Sequence, residues 1–425
     1  MPSRRILITG VSSQLGGRLA QALEHDPQVQ TIVGVDATDP RHELQRTEFV
    51  RVETDPALLR RILSAASIDT VIDTRLVADP LLAPLSRARE INVVGTRRIL
   101  AACGAESSSV RKVVFKSSAH VYGSDPGDPA FLTEQTTGLR PPRTALERDV
   151  IDAEAALSEF SAASPQSTVT ILRFADALGG DLHSSYLSLL NLPVVPSILG
   201  FDPRCQFIHQ DDVVGALAHA ARHDLPGVYN AAADGVLAFS EVVSLLGKRL
   251  LPVLPPWGTV FAAAQLRRLG LPVPLEMLRQ LRAGRGLDNR RLKATGFSYR
   301  YTTREAVLKL RAHQRLRPLL GSGDGAYRYE REVEEFLRWS PSVQQAGAGA
   351  AAAAPAGTPM GASDGQRGEG PYDDLSEAEL IEIISSLETE ALRRLRHYET
   401  LHGRRRGVLQ ALDRNLARRE SNRRG

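Results

Sequence analysis

Over the first 175 residues, short apolar runs with no helical period alternate with segments whose leucines and alanines recur every three or four positions. Arg5–Thr9, 31–35, 48–53, 69–73, Lys112–Ser118 and Thr168–Phe174 read as strands. Their unbroken apolar character is that of strands covered on both faces. The segments 18–24, 56–66, 88–102 and 144–162 read as the helices between them. This alternation predicts an α/β fold, a doubly wound parallel sheet of Rossmann type with right-handed crossovers. Beyond residue 175 the pattern is less regular. A short helix is expected at 184–192, extended chain at 193–200, a helix at 213–222, a seventh strand at 228–230 and a helical extension at 313–339.

The last part of the chain has a different texture. Residues 341–370 are rich in Ala, Gly, Pro and Ser and read as a disordered linker, because such a stretch cannot bury enough apolar area to offset its backbone entropy. Ser376 and Glu379 then give a capping-box start. Leu380, Ile381, Ile384 and Leu387 form one apolar face, continued by Leu392, Leu395 and Tyr398. Val408, Leu409, Leu412 and Leu416 form the next helix. The expected division is a dinucleotide domain at 1–340 with a smaller substrate lobe mostly from 175–312, the linker at 341–370, and a helical hairpin module with an arginine-rich end at 371–425.

Composition narrows the setting. The 425 residues are 42% hydrophobic and 24% charged, with a net charge of +4, as in globular proteins. No apolar run is long enough to span a membrane, and the chain begins directly on a strand. Two cysteines, Cys103 and Cys205, make no disulfide framework and fit a reducing, cytoplasmic setting. The arginines near the C-terminus lack interleaved aromatics, so they read as a solvated face or a contact for a protein partner rather than a nucleic-acid platform. No residue grouping calls for a metal.

The chemistry begins at the first turn. Gly10 and Gly16 lie between a strand and a helix, with Ser12 and Ser13 between them, and the second strand ends on Asp36. This is the βαβ pattern that binds a dinucleotide: Gly10 permits the tight turn, Gly16 brings the helix close, and the helix N-terminus faces a pyrophosphate. Asp36 can accept from both ribose hydroxyls and repels a 2′-phosphate, which favours NAD. Ser13 stands where a middle glycine is usual.

From residue 4 to about 312 the chain resembles an extended short-chain dehydrogenase/reductase of the NAD-dependent epimerase/dehydratase group, and within it actinobacterial proteins described as UDP-glucose 4-epimerase-like. The resemblance rests on Thr9–Gly17, Asp36, Asn92-Val-Val-Gly-Thr96, Ser117-Ser118-Ala-His-Val-Tyr-Gly123, Gln206-Phe-Ile-His-Gln-Asp-Asp212 and Gly227-Val-Tyr-Asn230. It implies an NAD cofactor contacted by Gly10, Ser12, Ser13, Gly16, Asp36, Asn92 and Ser117, a nucleotide-sugar substrate, and room for a homodimer. It also implies that a serine orients the substrate hydroxyl while a tyrosine, with a lysine four residues on, removes its proton.

Ser118 matches the serine. Counted from Pro141 and Pro142, the tyrosine position falls on Thr144 and the lysine position on Arg148, so the phenol is missing while Arg148 can still hold a ribose. Thr74-Arg75 is a second departure, at a place where small residues are usual beside the cofactor. Arg75 there either crowds the nicotinamide or pairs with a phosphate. Substitute bases are Tyr122 and His120, with Lys116 on the same side of the strand as Ser118 and able to lower the pKa of Tyr122. Arg204, His209 and Arg291 are candidate contacts for a nucleotide phosphate. Three readings stay open: an epimerase or dehydratase acting on a nucleotide sugar, a non-catalytic NAD-binding scaffold that recruits a partner through its tail, and a steroid- or isoprenoid-type dehydrogenase.

Overall fold

β1 (Arg5–Thr9) is the centre of the molecule. It pairs in parallel with β2 (Thr31–Asp36) on one side and β4 (Thr70–Asp73) on the other. β3 (Thr47–Arg51) extends the first side. β5 (Lys112–Ser118), β6 (Thr168–Phe174) and β11 (Gly227–Ala231) extend the second. The seven strands are all parallel, in the order β11-β6-β5-β4-β1-β2-β3. In this computed structural model the described residues are 5–320 and 406–421, apart from 53–54, 80, 107, 124, 126, 137–140 and 254–280.

The apolar runs supply both faces of the sheet. Ile6 and Ile8 of β1 pack with Leu19 and Leu23 of α1 (Gln14–Glu24) and with Val213 and Leu217 of the helix Gln210–Arg222. Leu7, between them, points the other way. It packs with Leu59 and Leu63 of α2 (Pro56–Ala65), Ile99 and Leu100 on the helix Thr96–Cys103, and Val150 and Leu157 on the helix Ala145–Ala163. Alternate residues of a strand thus enter opposite cores, as a two-sided parallel sheet requires.

The helix expected at 88–102 begins earlier and is not uniform. α3 (Leu85–Arg89) follows Pro84, a six-residue segment of wider π-type turns covers Glu90–Gly95, and α4 (Thr96–Cys103) completes it. α5 is Ala145–Ala163, and its N-cap is Thr144.

After β6 the chain builds the lobe. It contains β7 (Asp176–Leu178), α6 (Ser185–Asn191), β8 (Val194–Ile198), β9 (Arg204–Cys205), β10 (Phe207–His209), α7 (Gln210–Arg222), β12 (Leu237–Ala238), α8 (Phe239–Leu245) and β13 (Arg249–Val253). β10 pairs with β7, β12 with β9 and β13 with β8. Leu187, Leu190, Val195, Phe207, Phe239 and Val242 form the lobe's own core, joined by Val307 and Leu310 of the helix Thr303–Leu320.

The chain divides into two compact units, Met1–Val333 and Glu334–Gly425. In the second, Arg406–Ser421 is a helix with Val408 and Leu412 buried on one side, over the span expected from their spacing. The linker expected at 341–370 and the hairpin's first helix, at 374–402, lie outside the described residues.

Candidate cofactor and active site

A cavity of about 740 Å3 opens along the C-terminal ends of β1, β2, β4, β5 and β6 and is closed on the other side by the lobe. This is where a doubly wound sheet places its ligands, because neighbouring loops diverge on either side of the first strand.

The β1 turn is built by contact as well as by conformation. Gly10 has φ +81°, and a Cβ there would meet Arg75 Cγ at 2.7 Å. A Cβ on Gly16 would lie 2.1 Å from the Gly10 carbonyl oxygen, so α1 can approach the strand this closely only through glycine. Ser13 caps α1: its hydroxyl accepts from the Gly16 N–H at 3.0 Å and donates to the Gly10 carbonyl at 2.7 Å. Ser13 therefore holds the loop from within. The Asp36 carboxylate takes the Ser12 N–H at 3.0 Å and the Ala37 N–H at 2.7 Å, which fixes it at the cavity wall. Ser12, Ser13 and Asp36 line the cavity, as do Gln14 and Leu15 of the first turn of α1. Glycines that a Cβ would fill, a helix N-terminus and an anchored acid together fit a dinucleotide.

Arg75 continues this wall. It forks onto Asp73, with Nε 3.0 Å from Oδ1 and Nη2 2.9 Å from Oδ2, and its side chain is 12% exposed. Burial opposes the Asp73 charge, but the Arg75 guanidinium outweighs it and keeps the carboxyl below its ordinary range.

Beside it, Lys116 and Ser118 project into the cavity from the same face of β5. The Lys116 ammonium donates to the Leu76 carbonyl at 3.3 Å. Loss of hydration lowers its pKa to about 8, against a smaller opposing pull from Asp73. Ser118 Oγ lies 2.7 Å from His120 Nδ1 and also accepts the His120 N–H. Burial and the Arg285 charge push the His120 imidazole down to about 3, so the ring is neutral near pH 7 and shares one hydrogen with Ser118 through Nδ1.

Several expected residues take other roles. Tyr122 does not line this cavity. Its phenol donates to Asn230 Oδ1 at 2.7 Å and accepts from Arg173 Nη1 at 2.9 Å. Burial raises its pKa in spite of Arg173, so it is no substitute base and Lys116 is not its cation. Asn92 is 1% exposed and clasps Val77 through both main-chain groups, at 2.8 and 2.7 Å. It shapes the cavity wall at Val77 without reaching the ligand space. Thr144 faces the cavity only as the cap of α5: its hydroxyl takes the Glu147 N–H at 3.1 Å while the Glu147 carboxylate reaches back to the Thr144 N–H. Arg148 is exposed and outside the cavity lining. The helical residues of α5 that line the cavity are Leu146 and Glu147, and Val150, four on from Leu146, is buried in the core. The helix face therefore carries neither phenol nor ammonium.

Ser117 lines the cavity, but its hydroxyl donates to Glu154 at 2.5 Å. Glu154 in turn holds Arg173 through Nη2 at 2.6 Å, with both groups under one-tenth exposed. Of the expected phosphate contacts, His209 caps α7, Arg291 lies over the Tyr229 ring at 4.7 Å, and Arg204 lines only a small neighbouring pocket.

Three cavity residues carry no signal in the sequence. Asp79 takes the Ser185 N–H and hydroxyl and ties the loop after β4 to α6. Arg285 donates to the Ala119 carbonyl at 2.9 Å. Asp176 stands near Arg285, and burial raises its carboxyl pKa despite that cation. All three depend on contacts made across long sequence separations.

The sequence model of the NAD dependent epimerase/dehydratase family matches residues 6–232, more than half of the chain. The chain belongs to that family. The family match spans the sheet and every cofactor-side residue described above. Rv0501 of Mycobacterium tuberculosis and Mb0513 of Mycobacterium bovis are each 33% identical over 309 residues, covering 71% of this chain and 81% of theirs. Among solved structures, MoeE5 in complex with UDP-glucose and NAD superposes with a TM-score of 0.55 at 22% identity, covering 73% of this chain and 98% of MoeE5. UDP-glucose 4-epimerase of Thermotoga maritima gives 0.57 at 18% identity, covering 73% and 98%. These likenesses place the chain in the extended epimerase/dehydratase fold, with its large N-terminal sheet and smaller lobe.

Proposed function

We propose that this protein binds NAD in the cavity and oxidises a hydroxyl of a nucleotide sugar, with Lys116 taking the proton that a phenolate takes in relatives with the tyrosine–lysine pair. The observation that carries this reading is the placement of Lys116 and Ser118 side by side on one face of β5, both lining the cavity, with the lysine pKa near 8. A base works best when its pKa lies near the working pH. His120 is too weak a base, and Tyr122 is engaged elsewhere.

Each residue then has a task. Asp36 accepts from the adenine-side ribose, and the first turn of α1 faces the diphosphate. Bound NAD supplies the two-electron acceptor for the substrate C–H. Ser118, held through its oxygen by His120, donates to the substrate oxygen. Neutral Lys116 receives the proton as that hydroxyl becomes a carbonyl.

The test is absorbance at the reduced-nicotinamide band after mixing the NAD-loaded protein with UDP-glucose, UDP-glucuronic acid and dTDP-glucose. A rise with at least one of them is expected, and silence with all three argues against turnover of this class. Cofactor choice is a separate expectation. A 2′-phosphate beside Asp36 costs on the order of 1–4 kcal/mol, so calorimetry should find NADP the weaker ligand. Equal affinity would remove Asp36 from the ribose site.

A second reading, NAD binding without turnover, is favoured by one observation: the residues of α5 that line the cavity, Leu146 and Glu147, bring neither a phenol nor an ammonium to it. NAD binding together with silence in the absorbance test would select it.

A further inference from the structure

We infer that Arg75 is a built anion contact for the diphosphate of the dinucleotide, an assignment that rests on the NAD-binding reading above. The guanidinium belongs to a buried side chain at the cavity wall, next to the turn that presents the N-terminus of α1. Two of its nitrogens are fixed on Asp73, which also takes the Thr9 hydroxyl at 2.7 Å. Among the described residues Nη1 has no acceptor. A Cβ on Gly10 would meet the Arg75 side chain at 2.7 Å, and one on Gly95 would lie 3.0 Å from Nη1, so glycines border the side chain at its stem and at its tip. An arginine held by a fork at one edge, with N–H groups left over at the other, is pre-organised to meet a phosphate oxygen.

The charge balance of the cavity points the same way. Among the described residues, its cofactor end carries Asp36 and, besides Arg75, only the exposed Arg41 as a cation. The loop itself offers a dianionic diphosphate N–H groups, and its Ser12 hydroxyl donates to the Thr38 carbonyl. The Ser13 hydroxyl is already used to cap α1. Arg75 supplies a full positive charge, and Asp73 aims it rather than leaving it to solvent.

The experiment measures equilibrium binding of NAD, ADP-ribose and adenosine to the full-length protein and to Arg75→Gln. NAD and ADP-ribose should each weaken about 10- to 100-fold, the usual worth of a hydrogen bond to a charged group, while adenosine, which lacks the diphosphate, should not change. Equal losses for all three ligands would mean that Arg75 only supports the fold. Tighter NAD binding would mean that it obstructs. Either result overturns the contact. If Arg75→Gln does not fold because Asp73 is left buried and unpaired, salt dependence of the wild-type protein decides. ADP-ribose affinity should fall more steeply with ionic strength than adenosine affinity, and matching slopes overturn the contact. ADP-ribose binding with no loss in the variant rejects the Arg75 contact alone. No binding of NAD or ADP-ribose to the wild-type protein rejects the NAD reading and this inference with it.

Discussion

Replacing Lys116 with methionine lowers turnover by about 10²- to 10⁴-fold, the usual contribution of a positioned base, and leaves NAD affinity near the wild-type value. Methionine keeps the length and apolar stem of the side chain and removes only the amine. The wild-type rate rises with pH through about 8 as the amine loses its proton, and the variant lacks that rise. The same shift has a stability signature. The folded-state pKa lies near 8, below the ordinary 10.5. Below pH 8 both folded and unfolded chains carry the proton, and the folded state bears the cost of the desolvated charge. Between 8 and 10.5 the unfolded chain holds more protons, so stability climbs with pH across that window. Lys116→Met should lose this climb as well as turnover. If activity survives with an unchanged pH profile, the proton leaves by another route.

Glu154→Leu destabilises the domain by about 3–5 kcal/mol, a fall in Tm of roughly 10 °C. The mechanism is an uncompensated buried cation. Arg173 is 4% exposed at its side chain and would keep only the Tyr122 hydroxyl and the Glu134 carbonyl as partners, while Ser117 would lose its acceptor. Pairing Glu154→Leu with Arg173→Met should recover much of the loss, because two apolar groups replace two charges that no longer need each other. A melting scan that barely moves in the single variant would show that water reaches this pair.

The sheet was legible because strands covered on both faces need apolar residues at every position, and that leaves an unbroken signature in the chain. The turn at Gly10 and the acid at Asp36 were legible because each is imposed by local geometry. What the sequence hid was direction. Which helical residues of α5 reach the cavity depends on where the helix begins, and its start is set by the reciprocal cap of Thr144 with Glu147. A shift of two residues turns a helix by more than half a turn, and so carries Arg148 from the cofactor to the solvent. Tyr122 looked free in its own segment. Its phenol is drawn away by Arg173 and Asn230, 51 and 108 residues later. In sequence Asn92 reads as a cofactor contact, but the wide turns at Glu90–Gly95 set it against Val77. Side chains that answer to distant partners carry no mark of it in their neighbours.

The 2.1 Å approach at Gly16 divides the glycine-rich turn into two kinds of position. At 13 the requirement is for a capping oxygen, which several residue types provide, and its loss costs about 1 kcal/mol. At 16 the requirement is for the absence of an atom, which one residue type meets. A pattern search that scores both positions alike will discard chains such as this one for the serine it tolerates, and will keep chains in which a methyl group at the second position has already pushed the helix off its strand.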